Sequence, residues 1–206
     1  MLCFIASGAL SAATIDFEGL PDSTILTNQY PGLTFSDAII LTAGISLNEF
    51  EFPPHSGENV ASDNNGPMTI AFATPVTSVS GYFTYSTNLF LTGYGTDSNP
   101  VVMASSAFTN NEALSGDMGS TPNEFIQLNF VNGISAVRIN GDPDGGSFTL
   151  DDLSFTSAAA PVPEPNGSLL LIAPLSLLFL HRATRRRPLY NDSLCHCTQY
   201  RIRALR

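Results

Sequence analysis

The chain has no Lys and no Trp, and its three Cys all lie outside its central part. Of its Arg residues, Arg138 alone stands before residue 182. A body with one cation offers no basic patch for phosphate, so the sequence predicts no nucleic-acid partner. Because Cys3 precedes the body and Cys195 and Cys197 follow it, no disulfide joins its parts. Its stability is expected from core packing, from sheet hydrogen bonds and from bound metal.

Acidic residues dominate the same central part. Between Thr14 and Ala160 there are sixteen Asp and Glu against one Arg, a formal charge of −15. Carboxylates suit hard divalent cations such as calcium. Two interpretations stay open: the charge keeps an exported protein in solution, or some of the carboxylates hold a metal.

Side chains for catalysis are scarce. The only His of the central part is His55, within Pro53-Pro54-His55-Ser56-Gly57, and no Gly-x-Ser-x-Gly elbow is present. Glycoside hydrolysis needs two carboxylates flanking a cleft, and so many acids make any chosen pair uninformative. The sequence therefore predicts a protein that is not an enzyme. The alternatives are a secreted hydrolase with His55 as its base, or a purely structural or adhesive surface protein.

The first thirteen residues are apolar and small and end in Ser11-Ala12-Ala13. This composition predicts the apolar region and cleavage site of a secretory signal peptide, residues 1–13, with the cut before Thr14. No Lys or Arg precedes the apolar run, so the charged start of such a signal is missing. The alternative is a buried N-terminal strand.

The stretch 14–157 has a β pattern throughout. In its first strand Ile15 and Phe17 share one face, since side chains alternate at a period of two. The sequence predicts further strands at Leu33–Phe35, Ala38–Thr42, Ile45–Phe50, Met68–Ala73, Val76–Tyr85, Leu89–Tyr94, Val101–Phe108, Glu124–Val131, Ile134–Asn140 and Ser147–Thr156. About ten short strands separated by Gly, Pro, Asn and Asp clusters predict an all-β body, a jelly roll or β-sandwich.

Acids occur on both the first and the last predicted strand. If Leu150 faces the core, strict alternation turns Leu153 outward, and a bulge at Asp151-Asp152 would restore the apolar face. The body resembles the jelly-roll carbohydrate-binding modules. That resemblance implies a structural calcium between the terminal strands, with the following candidate ligands: Glu18 and Asp152, joined by Asp16, Asp22 and Asp151. The alternative is that these are exposed strand-end carboxylates.

Aromatic residues are frequent between residues 82 and 94. Tyr82 and Tyr94 are candidates for a platform on which the apolar faces of sugars stack. The alternative is that both rings belong to ordinary core and cross-strand pairs.

The C-terminal part contains Val162-Pro163-Glu164-Pro165, then an apolar run from Leu169 to Leu180, then Arg185-Arg186-Arg187. Prolines keep the first motif extended. The twelve apolar residues make about 18 Å of helix at ~1.5 Å per residue, and flanking residues extend it toward the ~30 Å of a bilayer core. The Arg cluster places that end in the cytoplasm.

This combination resembles a PEP-CTERM sorting signal. The resemblance implies recognition and cleavage by an exosortase, with Val162, Pro163, Glu164 and Pro165 as the motif and Arg185, Arg186 and Arg187 as the cytoplasmic stop. Residues 158–187 are accordingly interpreted as a linker followed by the signal and its transmembrane helix. The tail 188–206 departs from the family, where the chain usually stops soon after the cluster. It is interpreted as a frameshift or misplaced stop, or as a Cys-His metal site.

These observations predict an exported β protein that is held briefly in the inner membrane. It then lies at the cell surface or in the extracellular polysaccharide matrix. The predicted function is non-catalytic, with binding of glycan and a structural calcium.

Overall fold

The computed structural model describes residues 12–157, which form nine β-strands and no helix. In chain order the strands are β1 (Ala12–Ile15), β2 (Leu33–Ser36), β3 (Ala38–Thr42), β4 (Asn59–Asn64), β5 (Met68–Tyr85), β6 (Phe90–Tyr94), β7 (Pro100–Ser105), β8 (Glu124–Asn140) and β9 (Gly145–Ser157). The predicted all-β class of the body is confirmed.

All nine strands belong to one sheet, whose main path is β3-β4-β9-β5-β8-β6-β7. In addition, β1 pairs with β9, and β2 pairs with β5. The longest strands are β5 and β8, with 18 and 17 residues. The start of β5 pairs with β2 and its end pairs with β9. The sheet therefore has a β6 half (β2, β6, β7, the start of β5 and the end of β8) and a β9 half (the remaining strands and strand ends).

Both halves contribute to a single hydrophobic core. In the β6 half, buried Val137 and Ile139 flank the exposed Arg138, as the period of a strand requires. In the β9 half, Phe148 and Leu150 are buried and belong to the same apolar cluster. Burial of one such apolar side chain stabilises the fold by roughly 1.5–3 kcal/mol. Core packing therefore stabilises a body whose sequence contains no Cys.

Two long connections, residues 43–58 and 106–123, pack against each other and against the β9 half. The amide of Asn123 donates to the carbonyl of Pro53 at 3.1 Å. Asn111 is fully buried, accepts the N–H of Tyr85 at 2.7 Å and donates to the carbonyl of Phe83 at 2.9 Å. Backbone groups that the connections would bury therefore have partners.

The predicted strand count is too high because two predicted breaks are bends. Met68–Ala73 and Val76–Tyr85 are one strand, and Glu124–Val131 and Ile134–Asn140 are another. Pro75 and Gly133 stand at the bends, where the β5–β8 register shifts. A Cβ on Gly133, whose φ is 99°, would lie 2.8 Å from the Cβ of Pro75. Gly133 therefore gives Pro75 room at a bulge, which a regular ladder would not provide.

One further strand prediction is wrong, and one strand was not predicted. Ile45–Phe50 lies in turns, because Gly44 adopts a φ of 75° and the N–H groups of Ser46 and Leu47 both donate to the carbonyl of Thr42. Asn59–Asn64 is a strand, β4, that was not predicted. Its polar composition conceals it, because its Ser62 and Asp63 are buried with hydrogen-bond partners.

Several predicted segments lie outside the described residues. They are residues 1–11 of the predicted leader, the linker and C-terminal hydrophobic helix within 158–187, and the tail 188–206. Between Ala12 and Ser157, no helix long and apolar enough to cross a membrane is found.

Gly81 offers a test of the packing between β5 and β9. A Cβ there would lie 2.4 Å from Leu150 Cδ1 and 3.3 Å from the carbonyl oxygen of Asp151. We expect Gly81→Ala to lower the free energy of unfolding by about 1–3 kcal/mol, because overpacking displaces a buried side chain. Urea denaturation measures this change. Gly19→Ala is the matched control, since nothing lies within 4 Å of its added methyl; an equal effect of both substitutions would contradict the packing.

Candidate functional site

A bulge in β9 shapes one end of the β9 half. The register between β5 and β9 shifts by one residue opposite Gly81. Asp152, at the shift, adopts a φ of 47°, a left-handed value that Asp tolerates better than most residues. Leu150 and Leu153 are consequently both buried in the core. The bulge predicted at Asp151-Asp152 is confirmed, and both carboxylates meet the connection 43–58.

Asp151 anchors the backbone of that connection. Its Oδ2 accepts the N–H groups of His55 and Ser56, each at 2.8 Å, and its Oδ1 accepts the N–H of Asp152 at 2.7 Å. The residue is only 1% exposed. Burial raises the pKa of Asp151 to about 6, although the N–H donors act in the opposite direction.

Asp152 holds the side chains of the same two residues. Its Oδ2 is 2.6 Å from His55 Nδ1, and its Oδ1 accepts the hydroxyl of Ser56 at 3.0 Å. The imidazole of His55 also stacks on Tyr82, with 3.4 Å between ring centroids and 8° between ring planes. We call Asp151, Asp152, His55 and Ser56 the aspartate clasp.

The aspartate clasp does not have the geometry of a hydrolase. Nucleophilic catalysis by Ser needs a hydroxyl that hydrogen-bonds to the base. The hydroxyl of Ser56 instead donates to Asp152, the carboxylate that also holds His55. His55 and Ser56 share Asp152 as their acceptor and do not hydrogen-bond to each other. The clasp therefore holds the connection 43–58 in place.

The other predicted metal ligands, Glu18, Asp22 and Asp16, accept hydrogen bonds from nearby backbone N–H groups. Glu18 Oε1 accepts the two backbone N–H groups that lead into β4, at 2.8 and 2.7 Å. Asp22 accepts the N–H of Thr42 at 2.9 Å, and Asp16 accepts the N–H of Glu18 at 3.2 Å. Glu18 and the aspartate clasp thus hold the same connection at different residues.

We tested whether these acids suit a calcium ion, which takes about six to eight oxygen ligands. Within residues 12–157, no three His, Cys, Asp or Glu side chains are grouped as metal ligands. Glu18, Asp151 and Asp152 instead accept hydrogen bonds from the protein. As placed, they do not form a calcium cage. Calcium binding stays a prediction.

The strands of the β6 half carry no carboxylate. Strands β2, β5, β6 and β7 contain no Asp or Glu, and β8 contains only Glu124, at its first position. Leu91 lies in the core, so alternation along β6 places Phe90, Thr92 and Tyr94 on the opposite side of the strand, where Thr92 is buried with 7% exposure. Phe90 is 51% exposed. The outward side of these strands therefore carries aromatic rings and hydroxyls without negative charge.

Arg138 is on the same surface. It pairs with Thr92 in the β6–β8 register and is exposed. On the other side of Thr92, β7 places Met103, which is 66% exposed. The ion pair found among residues 12–157 joins His55 to Asp152, so Arg138 has no carboxylate partner there.

We call Phe90, Thr92, Tyr94, Met103 and Arg138 the arginine face. The sequence interpretation did not find it. Its two signals were present: a single Arg in the body, and no acid in β2, β5, β6 or β7.

The predicted platform of Tyr82 and Tyr94 is not formed. In register, Tyr82 lies opposite Phe125 and Tyr94 opposite Ala136, near opposite ends of β8. One face of Tyr82 is also covered by His55. Tyr94 instead lies on β6, four residues after Phe90.

The residues of the predicted sorting motif lie outside the described residues. They are Val162, Pro163, Glu164, Pro165, Arg185, Arg186 and Arg187.

Comparison with known proteins gives no family assignment. No family model matches the chain, and no curated protein matches it. Among solved structures it is similar to the K2 cleaved adhesin domain of Lys-gingipain, with TM-score 0.45 and 17% identity over 70% of this chain and 99% of that domain. At these values the likeness says nothing about what the chain binds.

Two further similar structures come from Paenibacillus barcinonensis. One is a CBM35, with TM-score 0.35 and 16% identity over 72% of this chain and 99% of the other. The second is the CBM22-1 xylan-binding domain, with TM-score 0.39 and 11% identity over 75% of this chain and 98% of the other. These likenesses are equally weak and leave the function to the residues of the chain itself.

The raised pKa of Asp151 predicts a specific pH dependence. A carboxyl whose pKa is higher in the folded than in the unfolded protein adds stability that is complete below the unfolded value of 3.8 and is lost as pH rises through about 6. Lowering the pH from 7 to 5 should therefore raise the contribution of Asp151 to the free energy of unfolding, by on the order of 1 kcal/mol. Urea denaturation at both pH values measures it.

Asp151→Asn should have a flatter pH profile than the unmodified protein. His55 and Asp152 are present in both, so the comparison isolates the titration of Asp151. Parallel profiles would show that Asp151 is not the titrating group.

Proposed function

We propose that this chain is an exported, non-catalytic protein of the cell surface or extracellular matrix, whose β body binds glycan through the arginine face. The observation that carries the proposal is the contrast between this surface and the rest of the body. Sixteen acids lie between Thr14 and Ala160, yet the outward positions of β2, β5, β6 and β7 have none.

The dimensions of the face suit an oligosaccharide. Phe90 and Tyr94 are four residues apart on one strand, about 13 Å at ~3.3 Å per residue. Their rings can stack on the apolar faces of two sugars of one chain. Between them, the exposed Arg138 offers a guanidinium to sugar oxygens. At the Phe90 end of the arginine face, Asn140 lies opposite Phe90 in register, and its side-chain amide donates to the Phe90 carbonyl at 3.2 Å.

A rigid sheet is a favourable support for such a surface. Leu91 and Ile139, next to the outward residues, are buried in the core, so the outward side chains are held by strands. A preorganised surface loses little conformational entropy when a ligand binds. The carboxylates elsewhere on the body keep the protein in solution.

The sorting route is part of the proposal and rests on the C-terminal sequence. The Pro-Glu-Pro motif is the cleavage region for an exosortase, and the apolar run holds the chain in the inner membrane until cleavage. Arg185, Arg186 and Arg187 keep that end in the cytoplasm, so the β body lies on the outer side.

Replacing the rings of the arginine face should weaken binding to a glycan. We expect Phe90→Ala and Tyr94→Ala each to weaken binding of a glycan selected on an array by about tenfold, which corresponds to ~1.4 kcal/mol. The reason is the lost stacking area of one ring. Isothermal titration with the selected oligosaccharide measures the dissociation constants.

Phe125→Ala is the matched control, since Phe125 is 52% exposed against 51% for Phe90 and lies beside Tyr82, off the face. Its affinity should stay unchanged. If no glycan on the array binds, a purely adhesive or structural role is favoured. If all three variants lose affinity equally, the glycan-binding site does not lie on the arginine face.

The sorting proposal has its own test. In a host that contains the exosortase, Glu164→Ala should leave the uncleaved protein in the inner membrane, because the motif is what the protease recognises. Cell fractionation and the mass of the released protein measure this. Asp192→Ala, an acid beyond the Arg cluster, should be processed normally. Equal release of the Glu164→Ala and unmodified proteins would remove exosortase handling from the proposal.

A further inference from the structure

The position of Arg138 suggests a narrower ligand class than glycan in general. Arg138 is the only Lys or Arg among the described residues, and it is exposed at the centre of an outward row of the β6 half. Its register neighbours are Thr92 on one side and Thr69 on the other, both uncharged. A guanidinium in an acidic protein would ordinarily be expected beside a carboxylate, and this one has no such partner between residues 12 and 157.

From this placement we infer that the arginine face binds a sugar that bears a carboxylate, a uronate, with Arg138 as its partner. The inference rests on the proposed glycan-binding function. A guanidinium has a planar fork of N–H donors that matches a carboxylate with two parallel hydrogen bonds. Since Phe90 and Tyr94 lie to either side along β6, the uronate is flanked by sugars that stack on the rings.

The charge of the body limits which acidic glycans fit. A formal charge of −15 repels a polymer that carries a carboxylate on every sugar. At 0.15 M salt the Debye length is about 8 Å, so distant acids are screened while a guanidinium in contact is not. The ligand is therefore an oligosaccharide with an isolated uronate among neutral sugars.

A pair of matched oligosaccharides tests the inference. One carries a single uronate among neutral sugars, and the other is the same molecule with that carboxyl reduced to a hydroxymethyl group. Titration calorimetry at 0.15 M salt should show about tenfold tighter binding of the uronate form, as expected for one charge-assisted contact. In Arg138→Gln the preference for the uronate form should disappear, so that the two forms bind with equal affinity. Arg138→Lys, which keeps the charge without the planar fork, should retain part of the preference.

The outcomes separate the inference from the proposed function. Equal binding of both forms by the unmodified protein would overturn the uronate inference and leave glycan binding standing. Persistence of the preference in Arg138→Gln would also overturn it. Binding of neither form would overturn both. Thermal melts serve as the folding control, since Arg138 is exposed and its substitution should leave Tm nearly unchanged.

Discussion

The structure depends on hydrogen bonds from backbone N–H groups to carboxylates. With one Arg and no Lys among the described residues, the acids cannot be neutralised by cations, and they accept backbone donors instead. Asp63 is a second buried example: its Oδ1 accepts the N–H groups of Ser147 and Phe148, and burial raises its pKa. Hydrogen bonds to a charged acceptor contribute about 1.5–3 kcal/mol each. They hold the connections and turns between the strands in place.

This constraint divides the sheet into two surfaces. The β9 half bears the aspartate clasp, and the connections 43–58 and 106–123 pack against it. The outward side of the β6 half has no acids along β2, β6 and β7 that would need such donors. Its aromatic rings and Arg138 thus stay open on regular strands. Most of the acids lie in the connections between strands, whereas the rings and Arg138 lie on strands of the β6 half.

The sequence was most informative where local periodicity decides structure. The all-β class follows from alternation, and the bulge at Asp151-Asp152 follows because Leu150 and Leu153 cannot both face the core without it. Contacts between distant residues could not be predicted. Asp151 meets His55 across about half of the chain, and Pro75 fits into its strand only because Gly133 lies beside it. The arginine face was missed for the same reason, since register alone brings Arg138 between β5 and β6.

The pairing of β1 with β9 has a mechanical consequence. Ala12 lies opposite Thr156, so the described part of the chain begins and ends at the same corner of the sheet. A pull that separates these two ends would open the β1–β9 ladder one pair at a time, because antiparallel strands loaded at a shared end unzip instead of shearing. A pull on one end against a ligand at the arginine face loads β9 along its length, where β4 and β5 flank it. A body tethered by one end and bound at the arginine face would therefore resist detachment through β9, a strand that pairs with β1, β4 and β5.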